Sequence, residues 1–135
     1  MTFLVDTSVW SLALRRDSAS TAPEVSMLHA ALLGSDQVVT TGLILQELLQ
    51  GFSGPKAKAP LIQAFASLAF LEPERADYIE AAELRNLCRR HGVQVGTIDA
   101  LIAQLCIRHD LVLLSTDNDF RLIAKHVKLR VWQAP

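Results

Sequence analysis

The sequence has few of the residues that build disulfide frameworks, and it has no long apolar run. Its two cysteines, Cys88 and Cys106, are 18 positions apart, and neither belongs to a CxxC pair. We therefore expect two buried thiols in a reducing cytoplasm, in preference to a disulfide or a metal pair. The longest uncharged stretch, residues 59–71, is shorter than the roughly 20 residues of a membrane span. The N-terminus lacks the features of a secretion signal, so we expect a cytoplasmic protein without a membrane segment.

Histidine and aromatic side chains form no pattern of their own. The four histidines, at positions 29, 91, 109 and 126, do not share the spacing of metal ligands, and we expect surface or structural roles for them. Aromatic residues make up 6% of the chain and fall mostly at core-like positions. Neither zinc coordination nor a platform for stacking nucleic-acid bases is therefore predicted.

Apolar sequence, in contrast, is abundant. At 135 residues and 14.8 kDa the chain has the usual size of one domain, which we place at residues 1–135. Half of the residues are hydrophobic, and a mean hydropathy of +0.26 is high for a small soluble monomer. The surplus lies on predicted helices around residues 43–52 and 101–107. We expect these helices to form a homodimer, against the alternative that their apolar faces are used up inside the fold.

The pattern of apolar residues predicts alternating strands and helices. Strands are predicted at residues 2–5, 37–41, 70–71, 111–115 and 129–132. Helices are predicted at residues 7–16, 24–33, 43–52, 61–68, 77–91, 97–109 and 119–126. Thr97 is expected to cap its helix and Gly92 to end the one before it, and residues 17–23 and 53–60 read as polar connections. Such alternation predicts an α/β fold with a mostly parallel sheet covered on both faces.

Four carboxylates interrupt apolar runs at the ends of these elements. Asp6 follows FLV, Glu47 lies inside LILQELL, Asp99 opens IDALIAQL and Asp117 follows LVLLST, with Asp119 two residues further on. Asp6 and Asp117 come directly after predicted strands, and sites in open α/β sheets form beyond the carboxyl ends of strands. Helical projections turn Asp99 and Glu47 away from the polar faces of their helices. We therefore expect the acids to meet at one place.

A meeting of carboxylates requires a counter-charge. Burying one unpaired carboxylate costs several kcal/mol, so a fold that gathers four or five of them needs a cation between them. Oxygen ligands suit Mg²⁺ or Mn²⁺ better than Zn²⁺, which predicts a hard-metal site. Each acid alone has a simpler explanation, because Asp6, Asp99 and Asp119 also suit helix N-termini and Asp117 also suits a turn. The coincidence of two strand ends with two inward helix positions favours the metal site.

The distribution of charge is uneven, although the net charge is only −1. Setting the five acids aside leaves nine of the 14 acidic residues against 13 basic ones. An acidic pocket in a basic surround suits an enzyme that acts on a polyanion. Arg85, Arg89 and Arg90 belong to this basic excess, but they also fit the solvated face of a helix. This signal alone therefore leaves both interpretations open.

Four strings carry a resemblance to a known family: FLVDTSVW, TTGLILQELLQG, GVQVGTIDALIAQLC and LVLLSTDNDF. In this order they resemble the PIN domain, and in a chain of this length they look like VapC-type toxins of bacterial or archaeal toxin–antitoxin pairs. The resemblance covers nearly the whole chain, and the combination of strings is specific. It implies a PIN-like three-layer α/β/α sandwich with a central, mostly parallel sheet of four to five strands.

The resemblance also implies an activity and partners. It implies an Mg²⁺- or Mn²⁺-dependent endoribonuclease that leaves 5′-phosphate and 3′-hydroxyl ends, forms a homodimer and is inhibited by a VapB-like antitoxin. By motif position, the catalytic and metal-binding acids fall on Asp6, Glu47, Asp99 and Asp117. Asp119 is the variable extra metal ligand, and Ser8 and Thr116 match polar positions that orient the carboxylates or their waters.

The simplest inhibitor of such a site places an arginine or lysine against the acids. Arginine is the better candidate, because its planar guanidinium pairs with carboxylates through two hydrogen bonds and stays charged. The inhibitor would also lay an apolar segment along exposed helix faces. Residues 17–23 and 53–60 are expected to frame the groove, although both also read as solvated connections.

Three alternatives bear on this interpretation. A haloacid-dehalogenase-like phosphatase needs a second Asp two residues after the first, where this chain has Ser8. A response-regulator receiver needs a lysine after a late strand, where this chain has STDND. A non-catalytic RNA-binding or scaffold PIN domain would keep the acids for folding only. The intact set of acids argues against that third alternative.

Overall fold

A computed structural model describes residues 1–15, 19–52 and 54–135. Five strands are formed in these ranges: β1 (Thr2–Val5), β2 (Gln37–Thr41), β3 (Ala69–Leu71), β4 (Val112–Leu114) and β5 (Arg130–Val131). Seven helices connect and follow them: α1 (Thr7–Ala13), α2 (Pro23–Leu33), α3 (Gly42–Gly51), α4 (Pro55–Ala66), α5 (Arg75–Arg90), α6 (Thr97–Arg108) and α7 (Asn118–Ala124). In the described part of the chain, no helix combines the length and apolar character needed to cross a bilayer.

The strands form one parallel sheet in the order β3-β2-β1-β4-β5. The first strand of the chain is therefore the central one, and it pairs on one side with β2 and on the other with β4. Helices flank the sheet, because each parallel crossover must return the chain to the same end of the sheet. The predicted α/β/α sandwich with a sheet of four to five strands is confirmed.

The core lies on both faces of the central strands. Phe3, Leu4 and Val5 of β1 have no exposed surface, and Leu113 and Leu114 of β4 are equally buried. This burial explains why both strands read as unbroken apolar runs instead of alternating sequences. Both cysteines are free and buried, as predicted, and burial raises the pKa of each thiol.

Helices α5 and α6 form a hairpin that is closed by an ion pair between a buried carboxylate and a partly exposed arginine. The Asp77 carboxylate, which has no exposed surface, accepts a hydrogen bond from Arg108 Nε at 2.7 Å and another from the Glu74 backbone N–H at 2.8 Å. Burial alone would raise the pKa of Asp77, but the backbone hydrogen bond and Arg108 lower it below its ordinary value. The hairpin is 16 residues long on its first arm and turns at Gly92, whose φ of 79° suits glycine. The prediction that Gly92 ends the longest helix is confirmed.

The prediction of α4 was wrong at its start. Residues 53–60 were expected to be a connection, yet α4 begins at Pro55 and contains Pro60. Pro55 lacks an N–H that the first turn would leave unpaired, and its fixed φ suits that position. Burial of Leu61 and Phe65 then stabilises the helix despite the internal proline. Residue 53 lies outside the described residues.

Four smaller predictions also need correction. Gly96 is the N-cap of α6 and Thr97 is its first residue, so Thr97 does not cap the helix. The apolar side chains of residues 101–107 are mostly buried in the core, so α6 does not carry the exposed apolar surface expected of it. Helix α1 ends at Ala13, whereas it was predicted to reach residue 16; residues 16–18 lie outside the described residues. Pro23 belongs to α2 and not to the preceding connection.

Candidate metal centre

The candidate site lies at the carboxyl edge of the sheet, where β1 and β4 end side by side. Val5 pairs with Leu114, and the Asp6 backbone N–H donates to the Leu114 carbonyl at 2.9 Å. Asp6 is the N-cap of α1, and Asp117 is the N-cap of α7 just beyond β4. Parallel pairing therefore brings together two acids that are far apart in the sequence.

Two serine hydroxyls hold the Asp6 carboxylate. Ser8 Oγ donates to Asp6 Oδ2 at 2.7 Å, and Ser115 Oγ donates to the same oxygen at 2.9 Å. Each serine oxygen in turn accepts a backbone N–H, from Thr116 to Ser8 at 3.1 Å and from Asp117 to Ser115 at 3.0 Å. Each hydroxyl group both donates and accepts a hydrogen bond, so the network fixes the orientation of the Asp6 side chain. Asp6 is 8% exposed.

Glu47 approaches from α3. Thr7 Oγ1 donates to Glu47 Oε1 at 3.2 Å, which ties the first residue of α1 to the middle of α3. Gln46 and Gln50, which lie to one side of Glu47 on α3, are exposed, and Gln46 Nε2 donates to Gln50 Oε1 at 3.0 Å. Glu47 is partly buried, so it lies outside the exposed face of α3 that Gln46 and Gln50 form, as its helical projection predicted.

The tightest group of acids comes from α6 and α7. Each of Asp99, Asp117 and Asp119 offers one carboxylate oxygen, and these three oxygens lie within 4.8 Å of one another. The Asp119 N–H also donates to Asp117 Oδ1 at 2.9 Å, which holds the two α7 acids in register. Asp6 and Glu47 are not members of this group.

The pKa of Asp99 reflects its burial and the charges of the other four acids. It is raised to about 6, first by burial and then by the negative charges of Asp6, Asp117, Glu47 and Asp119. A carboxylate whose only role is at a helix N-terminus has its pKa lowered by the helix dipole. Asp6 and Asp117 do serve as helix caps, so that simpler explanation holds for them locally, but it does not account for Asp99.

The sequence did not identify two residues that hold the acids. Ser115 lies inside the apolar run that precedes Asp117, and Thr7 follows Asp6 directly; neither has a local pattern that marks it. A hydroxyl beside a predicted strand end was the only available signal. Of the two polar residues that were expected, Ser8 contacts Asp6 through its side chain, whereas the contact shown for Thr116 is through its backbone N–H.

The donor set fits a hard divalent cation. The group within 4.8 Å contains three carboxylates and neither histidine nor cysteine. Oxygen donors of this kind are preferred by Mg²⁺ and Mn²⁺, and a cation would offset the repulsion that raises the pKa of Asp99.

Comparison with known proteins gives consistent matches. The family model for the PIN domain matches residues 3–126. Ribonuclease VapC11 of Mycobacterium tuberculosis is 31% identical over 129 residues, which cover 94% of this chain and 95% of that protein. Among solved structures, VapBC2 from Rickettsia felis bound to a promoter DNA fragment has a TM-score of 0.74 at 20% identity, with 98% of both chains covered. VapC20 of M. tuberculosis, a toxin that cleaves the sarcin-ricin loop, has a TM-score of 0.69 at 22% identity, with 95% of this chain and 98% of that chain covered.

Proposed function

Because this chain belongs to the PIN domain family, we propose that it is a metal-dependent endoribonuclease, the toxin of a VapBC-type toxin–antitoxin pair. The observation that carries the proposal is the convergence of five acids at the carboxyl edge of the sheet, three of them with oxygens within 4.8 Å. Sequence identity of 31% to a VapC ribonuclease over nearly the whole chain supports the proposal. The substrate is RNA, and the products carry 5′-phosphate and 3′-hydroxyl ends.

The residues divide into those that hold a cation and those that hold the acids. Asp99, Asp117 and Asp119 would bind Mg²⁺ or Mn²⁺ together with Asp6 and Glu47. When bound, the cation supplies charge neutralisation and Lewis-acid activation for hydrolysis of a phosphodiester. Ser8 and Ser115 hold the Asp6 carboxylate through its Oδ2 atom, and Thr7 holds the Glu47 carboxylate through its Oε1 atom. Thr116 supports Ser8 through its backbone N–H.

Asp99 controls when the site can accept a cation. With a pKa near 6, its carboxylate is largely ionised at pH 7 and increasingly protonated below pH 6. Protonation removes one negative ligand, so cation affinity is expected to fall in acid. The buried Cys106 thiol next to Asp6 stays protonated, because burial and the charge of Asp6 raise its pKa. It is therefore not a nucleophile in this proposal.

A cleavage assay distinguishes an enzyme from a scaffold that keeps the acids for folding. Purified protein is incubated with single-stranded RNA, with and without Mn²⁺, and the ends are sequenced. We expect cleavage that requires the metal and falls by several orders of magnitude in Asp99→Asn, with Glu80→Gln, an exposed acid on α5, as a control that retains activity. Cleavage by Asp99→Asn equal to that of the parent would contradict the proposed site.

This chain has a groove whose chemistry suits the proposed antitoxin partner. A cavity of about 620 Å³ is lined mainly by apolar residues from the ends of α1 and α3 and from α4, together with Arg15 and Lys56. The predicted frame at 53–60 contributes residues to this cavity, although they belong to α4. An apolar segment of the antitoxin fits such a groove, and an arginine extending from it would pair with the acids.

Inhibition through the acids has a direct test. We expect the purified complex to bind Mn²⁺ more weakly than the free protein and to cleave little RNA. Replacing the inserted antitoxin arginine by alanine should restore cleavage more than it weakens the complex, whereas replacing a second, solvent-exposed arginine of the antitoxin should change neither. A complex with the metal affinity and cleavage rate of the free protein would contradict this mechanism.

A further inference from the structure

A second cavity opens beside the acids and has the opposite charge character. It has a volume of about 700 Å³ and is lined by Arg85, Arg89, Gln94, Val95, Gly96 and Asp119. One wall is the C-terminal half of α5, and the loop to α6 forms another. Asp119 belongs both to this cavity and to the acid group, so the two are contiguous.

Gly96, in the wall of the cavity, lies next to Asp99. A Cβ atom at this position would be 3.9 Å from Asp99 Oδ2, an ordinary contact distance. The cavity is therefore next to Asp99 as well as Asp119. A polyanion lying in it would be close to both of these acids.

The two arginines are arranged to hold an anion. They are four residues apart on α5, so their side chains lie on the same face, one turn apart. Arg85 Nε donates to the Val95 carbonyl at 2.8 Å, which fixes the start of its guanidinium and leaves its other N–H groups available. Neither arginine forms a salt bridge with any carboxylate in the described ranges.

We propose that this cavity binds a backbone phosphate of the RNA substrate, next to the phosphodiester that is cleaved at the acids. The proposal rests on the nuclease function proposed above and assigns Arg85 and Arg89 to substrate binding. Five carboxylates repel a polyanion, so an RNA strand that reaches them needs cationic contacts close by. The arginine pair supplies such contacts, because it lines the same cavity as Asp119. An acidic antitoxin segment would also meet arginines here, but it would gain nothing from the adjacent acids.

Arg89 is the better residue to change, because Arg85 also supports the loop backbone at Val95. Arg90 is a matched control: it is the next residue on α5, it is exposed, and it does not line the cavity. Arg89→Gln and Arg90→Gln are each made in an Asp99→Asn background, so that RNA is bound without being cut. Arg89→Lys keeps the charge and tests whether a positive charge alone is sufficient for RNA binding.

The readout is fluorescence anisotropy of a labelled single-stranded RNA over a series of salt concentrations. We expect Arg89→Gln to weaken binding about tenfold, as for loss of one charge-assisted contact. The slope of log Kd against log salt should fall by about 0.7, the value for one phosphate contact on a single strand. Arg90→Gln should change Kd less than about twofold, and Arg89→Lys should keep the salt slope. In the active background, Arg89→Gln should raise KM.

The outcomes separate this proposal from the nuclease function. If the parent chain cleaves RNA but Arg89→Gln binds it as tightly as Arg90→Gln does, the phosphate site is wrong and the nuclease stands. If the parent neither binds nor cleaves RNA, both proposals are wrong. If Arg89→Gln weakens the antitoxin complex and leaves RNA affinity unchanged, the arginines serve the antitoxin, which also overturns the phosphate site.

Discussion

At the residue scale, Asp99 shows how burial and neighbouring carboxylates affect a carboxyl group: it loses its proton only at a higher pH. Its pKa of about 6, raised by burial and four neighbouring acids, exceeds the ordinary value of 3.8. The folded protein therefore binds a proton at Asp99 more tightly than the unfolded chain does. The contribution of this group to stability is fully present below pH 3.8 and is lost as the pH rises through about 6. At neutral pH the metal-free site is a source of instability.

The first prediction concerns this instability. In the presence of a chelator, Asp99→Asn should raise the melting temperature at pH 7 and flatten its dependence on pH between 3.8 and about 6. Melting temperatures measured across that range test it, with Glu80→Gln as the control.

Mn²⁺ should raise the melting temperature of the parent, whereas the double variant Asp6→Asn with Asp99→Asn should show little of this rise. An equal rise in that double variant would show that the cation binds elsewhere.

The second prediction concerns the hydroxyl that the sequence did not mark. Ser115→Ala removes the 2.9 Å donor to Asp6 Oδ2 and the acceptor for the Asp117 N–H. Loss of an orienting contact of this kind lowers metal affinity or activity by about 10- to 100-fold. We expect such a loss in Mn²⁺ titration calorimetry. Thr116→Ala, at an exposed position whose described contact is through the backbone, should remain within about twofold of the parent, and an equal loss in both would contradict the assignment.

At the element scale, the hairpin of α5 and α6 carries the acid Asp99 and the arginine pair on one unit. Its two arms are joined by Asp77 and Arg108, and the Asp77 carboxylate is fully buried. Breaking one side of a buried ion pair leaves an uncompensated charge, which costs more than the pair contributes when intact. The stability of the hairpin therefore bears directly on the geometry of the site.

The third prediction tests that link. Arg108→Ala should lower the free energy of unfolding by about 1 to 3 kcal/mol, because the buried Asp77 carboxylate loses its 2.7 Å partner and keeps only the Glu74 N–H among its two short hydrogen bonds. Urea unfolding measures this loss. In an Asp77→Asn background, where no charge is left unpaired, the same change should cost clearly less. An equal cost in both backgrounds would mean that Arg108 stabilises the hairpin by packing and not by pairing.

What the sequence predicted at this scale depended on whether the signal was local. The acids that end or interrupt apolar runs were visible without a structure, and so was the alternation that implies a parallel sheet. Ser115 was not, because its contact with Asp6 joins residues 109 positions apart and exists only once β1 lies beside β4. The prediction of where α4 starts was wrong for the opposite reason. Two prolines gave a strong local signal for a turn, and burial of Leu61 and Phe65 stabilises a helix there instead.

At the scale of the whole molecule, one of the two helices that were expected to expose apolar surface does so and the other does not. Helix α6 uses its apolar residues in the core, whereas α3 leaves Leu45 and Leu49 only partly buried around a second apolar cavity. Phe70 of the edge strand β3 is 43% exposed, and its ring lies next to Gly42. We propose that a homodimer forms through this face of α3 and β3.

The fourth prediction concerns this association. Sedimentation equilibrium of the parent should give a mass close to that of two chains, and Leu49→Glu with Phe70→Glu should give the mass of one, because two charges would be buried at the interface. Glu substituted for Leu33, which is 89% exposed on α2, is the control and should leave the dimer intact. A parent that remains monomeric at every concentration would rule out the dimer.

The central position of β1 in the sheet also sets the timing of function. Residue 3 pairs with residue 112, so β1 cannot pair with β4 until residue 112 has been synthesised. The acid group is incomplete until Asp117 and Asp119 have been added, and the Ser115 hydroxyl that holds Asp6 arrives only just before them. Under the proposed function, a nascent chain shorter than this is inert toward the messenger and ribosomal RNA around it. The order of the strands thus delays activity until residues 115–119 have been synthesised.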